Sequence, residues 1–357
     1  MKAQTSQLKK GRGAQSNSPN PFSRIQPVKE FWEGIDEDED REERVPSEYT
    51  EVFPKSILNR VDSPDIGLAW SMNPYQGCEH GCIYCYARNT HNYWGYSAGT
   101  DFEQKILIKA NAAALLAKEL SRPNWKVEPI MLSGNTDCYQ PAERKFQVTR
   151  KLLQVLLDFR HPVGIITKNA LVLRDLDILK ELNAMDLVHV TISFTSMQED
   201  LRRVLEPRTS SVQAKLKAIE TLSAAGIPVH VMMAPLIPSI NSHEIFELCK
   251  AVSEAGALGI NHTVVRLNGA IGPLFEDWVR LTFPDRAEKV LNQIKALHGG
   301  QLNDSRQGTR MRGEGVFAQS MHDQIALARK KYFKDKKRTP YNTEAFVRRN
   351  KEQLLLF

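Results

Sequence analysis

Three of the chain's five cysteines fall in the stretch NPYQGCEHGCIYCYAR, residues 73–88, as Cys78, Cys82 and Cys85. Thiolates are soft ligands that suit zinc, copper(I) or iron–sulfur centres, so the bunching points to a metal or to catalysis rather than to a disulfide framework. A redox pair of the thioredoxin kind would use Cys82 and Cys85 and leave Cys78 without a role. Structural zinc takes four protein ligands, which these three thiols reach only with His80 or His91 added. An iron–sulfur cubane on three thiolates keeps one iron open to another ligand, and that open position is a site for chemistry. Gly77 and Gly81 let backbone approach such a cluster and bend sharply around it.

The elements that must carry this loop are legible as a repeat. After residue 70, strand-like apolar runs alternate with amphipathic helical ones: PIMLSG with RKFQVTRKLLQVLLDF, VGIITK with LVLRDLDILKELNAM, LVHVTISF with SSVQAKLKAIETLSAAG, and IPVHVMMAPLI with HEIFELCKAVSEAG. GINHTVVRL closes the series. Strands are expected over 71–77, 129–134, 162–168, 186–194, 227–236 and 259–266, with a helix over 103–120. The runs are apolar almost throughout, as parallel strands covered on both faces require. The expected class is therefore α/β, a βα series closed wholly or partly into a barrel or left as an open sheet. In either case function collects at the strand C-termini.

With that frame in place, CEHGCIYC resembles the CxxxCxxC signature of radical S-adenosylmethionine enzymes. The longer string, with Tyr84 before the last cysteine, is similar to the branch that includes spore photoproduct lyase. The resemblance covers about residues 46–285. It implies a partial (β/α)6 TIM-like barrel and one [4Fe–4S] cluster on Cys78, Cys82 and Cys85. S-adenosylmethionine would bind the free iron, and its reductive cleavage would yield a 5′-deoxyadenosyl radical that takes hydrogen from a substrate. The electron would come from a flavodoxin or ferredoxin-like donor.

The same resemblance distributes roles over the strand ends. Ser133, Gly134, Asn135 and Thr136 fall where the family contacts the methionine amino group, and Asp137 resembles the Asp of the lyase branch. Lys168 is a cation suited to the methionine carboxylate. Ser193 would reach ribose, Ala234 with Pro235 would leave room for adenine, and Tyr84 would pack on the adenine side. Arg208 in LEPRTSS resembles a recurrent Glu-Pro-Arg and would bind a cofactor or substrate anion. Tyr86 matches a tyrosine of radical relay. The lyase's hydrogen-donating cysteine is replaced by Gly134, a departure that weighs against thymine-dimer repair; Cys138, four residues on, is the candidate donor from another backbone point. Cys249 in IFELCKAV lies on an apolar helix stripe and reads as a buried, inert thiol. The spare cysteines are too few for an auxiliary cluster.

Composition sets the surroundings. At 357 residues and 41% hydrophobic the chain can bury a sizeable core. Residues 1–45 read as a disordered leader, 46–285 as the core domain and 286–357 as a helical, basic extension. No export signal or membrane span is read, and the cysteine usage suits a reducing cytoplasm. Residues 30–43 hold nine carboxylates against Arg41, while residues 321–357 hold ten Lys or Arg against four carboxylates. That basic end makes nucleic acid the leading substrate guess, ahead of a peptide or small metabolite. Solvated tails are the plain alternative for such charge runs. The rival from another class is a non-catalytic iron–sulfur or zinc protein, a sensor or nucleic-acid-binding module on the same fold. The oligomeric state is not readable.

Overall fold

Each of the six expected strand runs forms a strand in the computed structural model, which describes residues 9, 11–22, 46–65, 67, 69–336 and 339–349. In chain order the strands are β1 (Glu48–Val52), β2 (Leu58–Arg60), β3 (Trp70–Met72), β4 (Tyr75–Gln76), β5 (Lys105–Lys109), β6 (Ile130–Leu132), β7 (Val163–Thr167), β8 (Val188–Ser193), β9 (Val229–Leu236) and β10 (Gly259–Val264). The main sheet runs β10-β9-β8-β7-β6-β3-β2. From β3 to β10 every pairing is parallel and joins strands that follow one another in that sheet's chain order; β2 adds an antiparallel edge. Among the described residues no ladder joins the two edges, so the barrel is partial, as expected.

The apolar runs are buried for the reason their composition implies. Val163, Ile165, Val188, Val190, Val229 and Val231 are fully buried, between the barrel interior and helices such as Val148–Asp158 and Val212–Ala224. A second apolar cluster joins helices Ile271–Thr282 and Ala287–Leu297, through Trp278, Phe275 and Ile294, to Ile83 inside the cysteine loop. The site is thus braced from both sides.

Three features differ from the sequence expectation. The stretch read as one helix over 103–120 is a short helix Thr100–Gln104, then strand β5, then helix Ala112–Leu120. β5 pairs parallel with β1 and antiparallel with β4, a small second sheet of order β1-β5-β4 whose partners are distant in sequence. Local periodicity carries no trace of such a partner.

Of the segment read as a disordered leader, residues 11–22 lie against the cysteine loop, with Ala14 fully buried; residues 23–45 lie outside the described residues. Ordering comes from hydrogen bonds to buried acceptors rather than from apolar area, which is why composition did not announce it.

The C-terminal extension is helical over Gly315–Tyr332. Its basic residues are partly committed. Arg329 Nε donates to Ile260 O (2.9 Å), Lys336 Nζ to Ala257 O (2.8 Å) and Arg349 Nε to Asp158 O (2.8 Å). The Tyr341 ring stacks on His189, centroids 4.0 Å apart. All these contacts lie at the N-terminal ends of the strands, the end of the barrel away from Lys168 and Ser193. No helix among the described residues is long and apolar enough to cross a membrane.

Candidate functional site

The cysteine loop leaves β4 and ends at the 3-10 helix Tyr86–Trp94. Its backbone is held at several points. Cys78 N donates to Phe102 O (2.8 Å), Glu79 N to Gln140 Oε1 (2.9 Å) and Ile83 N to Leu205 O (3.2 Å). Gly81 turns the loop at φ +68°, a region L side chains rarely adopt. Beneath it, Arg88 and Glu103 form an ion pair of 2.5 Å with both side chains wholly buried. Arg88 Nε also donates to Cys82 O (3.0 Å). A buried pair of this kind is retained when it fixes geometry, since it adds little net stability.

Cys78 and Cys82 are buried and Cys85 is partly so. Burial pushes the Cys85 thiol up to about 11, with Cys78 adding to it, and raises Cys82 well above the ordinary range. Thiols shifted in this way, Cys82 and Cys85, stay protonated unless a strongly positive centre joins them. An iron–sulfur cluster meets that demand, and Cys78, Cys82 and Cys85 are the residues that would hold it.

The zinc alternative fits less well. His80 is buried with Nδ1 3.3 Å from Asp137 Oδ2. Burial alone would lower its pKa, but Asp137 and Cys78 outweigh that and raise it to about 10. An imidazolium has no lone pair to offer a metal. His91 lies between the rings of Tyr96 and Phe102, at centroid distances of 5.1 and 5.6 Å.

The strand ends converge on this loop. Asp137 accepts from Thr167 Oγ1 (2.7 Å), Lys168 N (2.7 Å) and Tyr139 N (2.8 Å), tying the end of β6 to that of β7. In the turn between, Ser133 takes φ +103°, Asn135 N donates to Asn73 Oδ1 (2.8 Å), and Thr136 Oγ1 donates to Gly77 O (2.7 Å). Gly134 O accepts from the Tyr86 hydroxyl, whose ring is half exposed.

Lys168 Nζ lies 2.7 Å from Ser193 Oγ, 3.0 Å from Glu206 Oε1 and 5.5 Å from the Tyr84 ring centre. Lys215 Nζ takes the other Glu206 oxygen at 3.0 Å, and the Tyr84 hydroxyl also bonds Glu206. Burial would raise the Glu206 pKa, but Lys168 and Lys215 hold it well below the usual carboxylate range. Two ammonium groups thus share one carboxylate. Ala234 O accepts from Thr195 Oγ1 (3.3 Å) on the neighbouring strand end.

Two candidates go elsewhere. Cys138 is fully buried in the main core, its N–H on Ser133 Oγ (3.0 Å) and its thiol toward Ile166 O (3.9 Å). Both contacts keep the thiol enclosed among core residues. Arg208 reaches Glu79 (3.5 Å) and Ser47 (3.4 Å), bracing the outer side of the cysteine loop. Cys249 is buried, and burial pushes its thiol up to about 11.

Residues that spacing alone does not single out complete the site. Arg88 stands inside the quoted motif, but Glu103, Glu206 and Lys215 acquire meaning only through their partners. Arg266, just past β10, is half buried and, among the described residues, makes no hydrogen bond or ion pair; burial and then Arg310 lower its pKa, while Tyr86 and Asp65 act to raise it. Arg310 itself is bound to Asp65 and to Ser63 Oγ (2.6 Å).

Comparison with known proteins agrees with this arrangement. The family model of the Radical SAM superfamily matches residues 72–252. An uncharacterized protein of Mycobacterium tuberculosis is 35% identical over 240 residues, 66% of this chain and 71% of that protein. The Radical SAM Nalpha-GlyT isomerase of Pseudomonas phage M6 is 24% identical over 194 residues, 54% of this chain and 38% of that protein. Among solved structures, a spore photoproduct lyase variant with bound AdoMet and dinucleoside spore photoproduct superposes with a TM-score of 0.60 at 16% identity, covering 80% of this chain and 79% of that one.

Proposed function

The chain belongs to the radical SAM superfamily, and on that premise we propose that it is an enzyme using one [4Fe–4S] cluster and S-adenosylmethionine to take hydrogen from an anionic substrate. Cys78, Cys82 and Cys85 are the cluster ligands in this reading. Bound together at the loop, the reduced cluster and S-adenosylmethionine supply a 5′-deoxyadenosyl radical.

The observation that carries the reading is the Lys168–Glu206–Lys215 group, two cations against one carboxylate under cover beside the cysteine loop. A surplus buried charge is costly unless an anion joins it. The methionine carboxylate is such an anion, and Lys168, the most exposed of the three, is the residue to meet it. Ser133 to Thr136 line the turn that would receive the amino group, Ser193 offers a hydroxyl toward ribose, and the small Ala234 leaves space beside it. Tyr84 is held by Glu206 and would close the cofactor's side of the loop against water.

The substrate side is bordered by Tyr86 and Arg266. A guanidinium with no partner among the described residues suits a carboxylate or a phosphate. Nucleic acid stays within this class, though the basic C-terminal segment does not argue for it, since that segment packs at the other end of the barrel. The lyase's dinucleoside ligand belongs to a protein whose likeness to this one is a likeness of fold.

Anaerobic reconstitution with iron and sulfide tests the proposal. The native chain should take up about four irons, lose them in Cys82→Ala, and show an electron paramagnetic resonance signal that changes when S-adenosylmethionine is added. Metal bound with a signal indifferent to S-adenosylmethionine would favour the non-catalytic sensor instead.

A further inference from the structure

Residues 11–22, GRGAQSNSPNPF, are polar and glycine-bearing, yet they are docked through a dense set of bonds. Gly13 N and Ala14 N donate to the two Glu103 carboxylate oxygens at 3.2 and 2.8 Å, and Arg12 Nη1 donates to Glu103 O at 2.8 Å. Glu103 is the partner of Arg88, and Arg88 holds Cys82 O. A continuous chain of buried bonds therefore runs from this segment to the backbone of a cluster cysteine.

The rest of the segment repeats the pattern. Asn17 Oδ1 accepts from Thr100 Oγ1 and Asp101 N, both at 3.0 Å. Ser97 Oγ donates to Ser18 O (2.7 Å), and Asn20 Nδ2 donates to Asn92 O (3.0 Å) in the helix that follows the cysteines. The fit excludes side chains at two places. A Cβ on Gly13 would stand 1.8 Å from Gly81 O, and one on Gly99 would stand 2.1 Å from Ser16 O. Ordering such a stretch costs conformational entropy at every residue, so what holds it is bonds to buried, charged acceptors.

We propose that residues 11–22 are a strap that clamps the cysteine loop through Glu103 and Arg88, fixing Cys82 and slowing the escape of the metal the three thiolates hold. The strap positions the loop and touches no reacting atom. Only the metal-retention half of this inference rests on the cluster reading.

The test uses the full chain with Gly13→Ala and Gly99→Ala, and with Gly67→Ala as control, because a Cβ at Gly67 meets nothing within 4 Å. In metal-free protein, alkylation of Cys82 by iodoacetamide, followed by mass spectrometry, should be about tenfold faster in both strap variants and unchanged in the control. Cys249, buried far from the strap, reports global opening and should keep its rate in all of them. An unchanged Cys82 rate in both strap variants overturns the inference. So does a parallel rise at Cys249, which would make the segment a support of the whole fold. In reconstituted protein, iron release to a chelator should quicken by a similar factor. If the labelling result holds and no cluster forms, the cluster reading fails and the clamp stands.

Discussion

Lys168 and Glu206 form a buried ion pair, Nζ to Oε1 3.0 Å, in which the carboxylate is also held by Lys215 at 3.0 Å. The two lysines are therefore not equivalent. Lys215 is sealed, whereas the Lys168 side chain is partly exposed and its Nζ also lies 2.7 Å from Ser193 Oγ.

Lys168→Met should leave the fold intact, because Lys215 still neutralises Glu206. S-adenosylmethionine should bind about tenfold to a hundredfold more weakly, the value of one charge-assisted hydrogen bond. Equilibrium binding by calorimetry measures it; an unchanged affinity would remove Lys168 from the cofactor site.

Glu206→Gln acts in the opposite way. It strands two ammonium groups without a counter-charge and should cost about 3–5 kcal/mol of stability, read from the urea midpoint. A loss below about 1 kcal/mol would mean that the pair is no more than an exposed one.

Stability should also depend on pH through His161, whose Nε2 accepts from Trp125 Nε1 at 3.2 Å in the core. Burial lowers its pKa from 6.5 to about 4, so it stays neutral in the folded chain while the unfolded chain protonates it. Between pH 4 and 6.5 the unfolded state binds the extra proton, and stability rises with pH by up to about 1.4 kcal/mol per unit from this group. His161→Gln keeps an acceptor for Trp125 but no titration. Its unfolding free energy should vary less between pH 4.5 and 6.5 than that of the native chain, and an equal slope would contradict the assignment.

Cys138→Ala should form 5′-deoxyadenosine at the native rate, because the thiol lies in the main core against Ile166 O rather than at the mouth. The variant should lose stability instead, by about 1 kcal/mol for a small cavity. A normal stability with altered product would restore Cys138 as a donor.

How far the sequence carries the reader depends on where each signal is stored. The six barrel strands were legible because their apolar runs reflect burial on both faces, a local property. The cysteine loop was legible because its spacing is its function. β1 and β5 were not, since KILIK becomes a strand only beside the distant EYTEV. Lys215 reads as an ordinary helix residue, and Glu206 as no more than part of the Glu-Pro-Arg string, until the fold brings them to Lys168. The packed part of the leader was illegible for a further reason: its stability comes from main-chain N–H groups donating to Glu103, and backbone donors are the same in every sequence. The placement of the basic C-terminus was not legible either, because charge composition does not say which end of a barrel a segment covers.

The central claim is radical initiation at the cysteine loop, and the measurement that tests it most directly is anaerobic. The reconstituted chain is reduced with dithionite, S-adenosylmethionine is added, and 5′-deoxyadenosine is assayed by chromatography beside Cys82→Ala. 5′-Deoxyadenosine should form with the native chain and not with the variant. A reduced, intact cluster that yields none from either would contradict it.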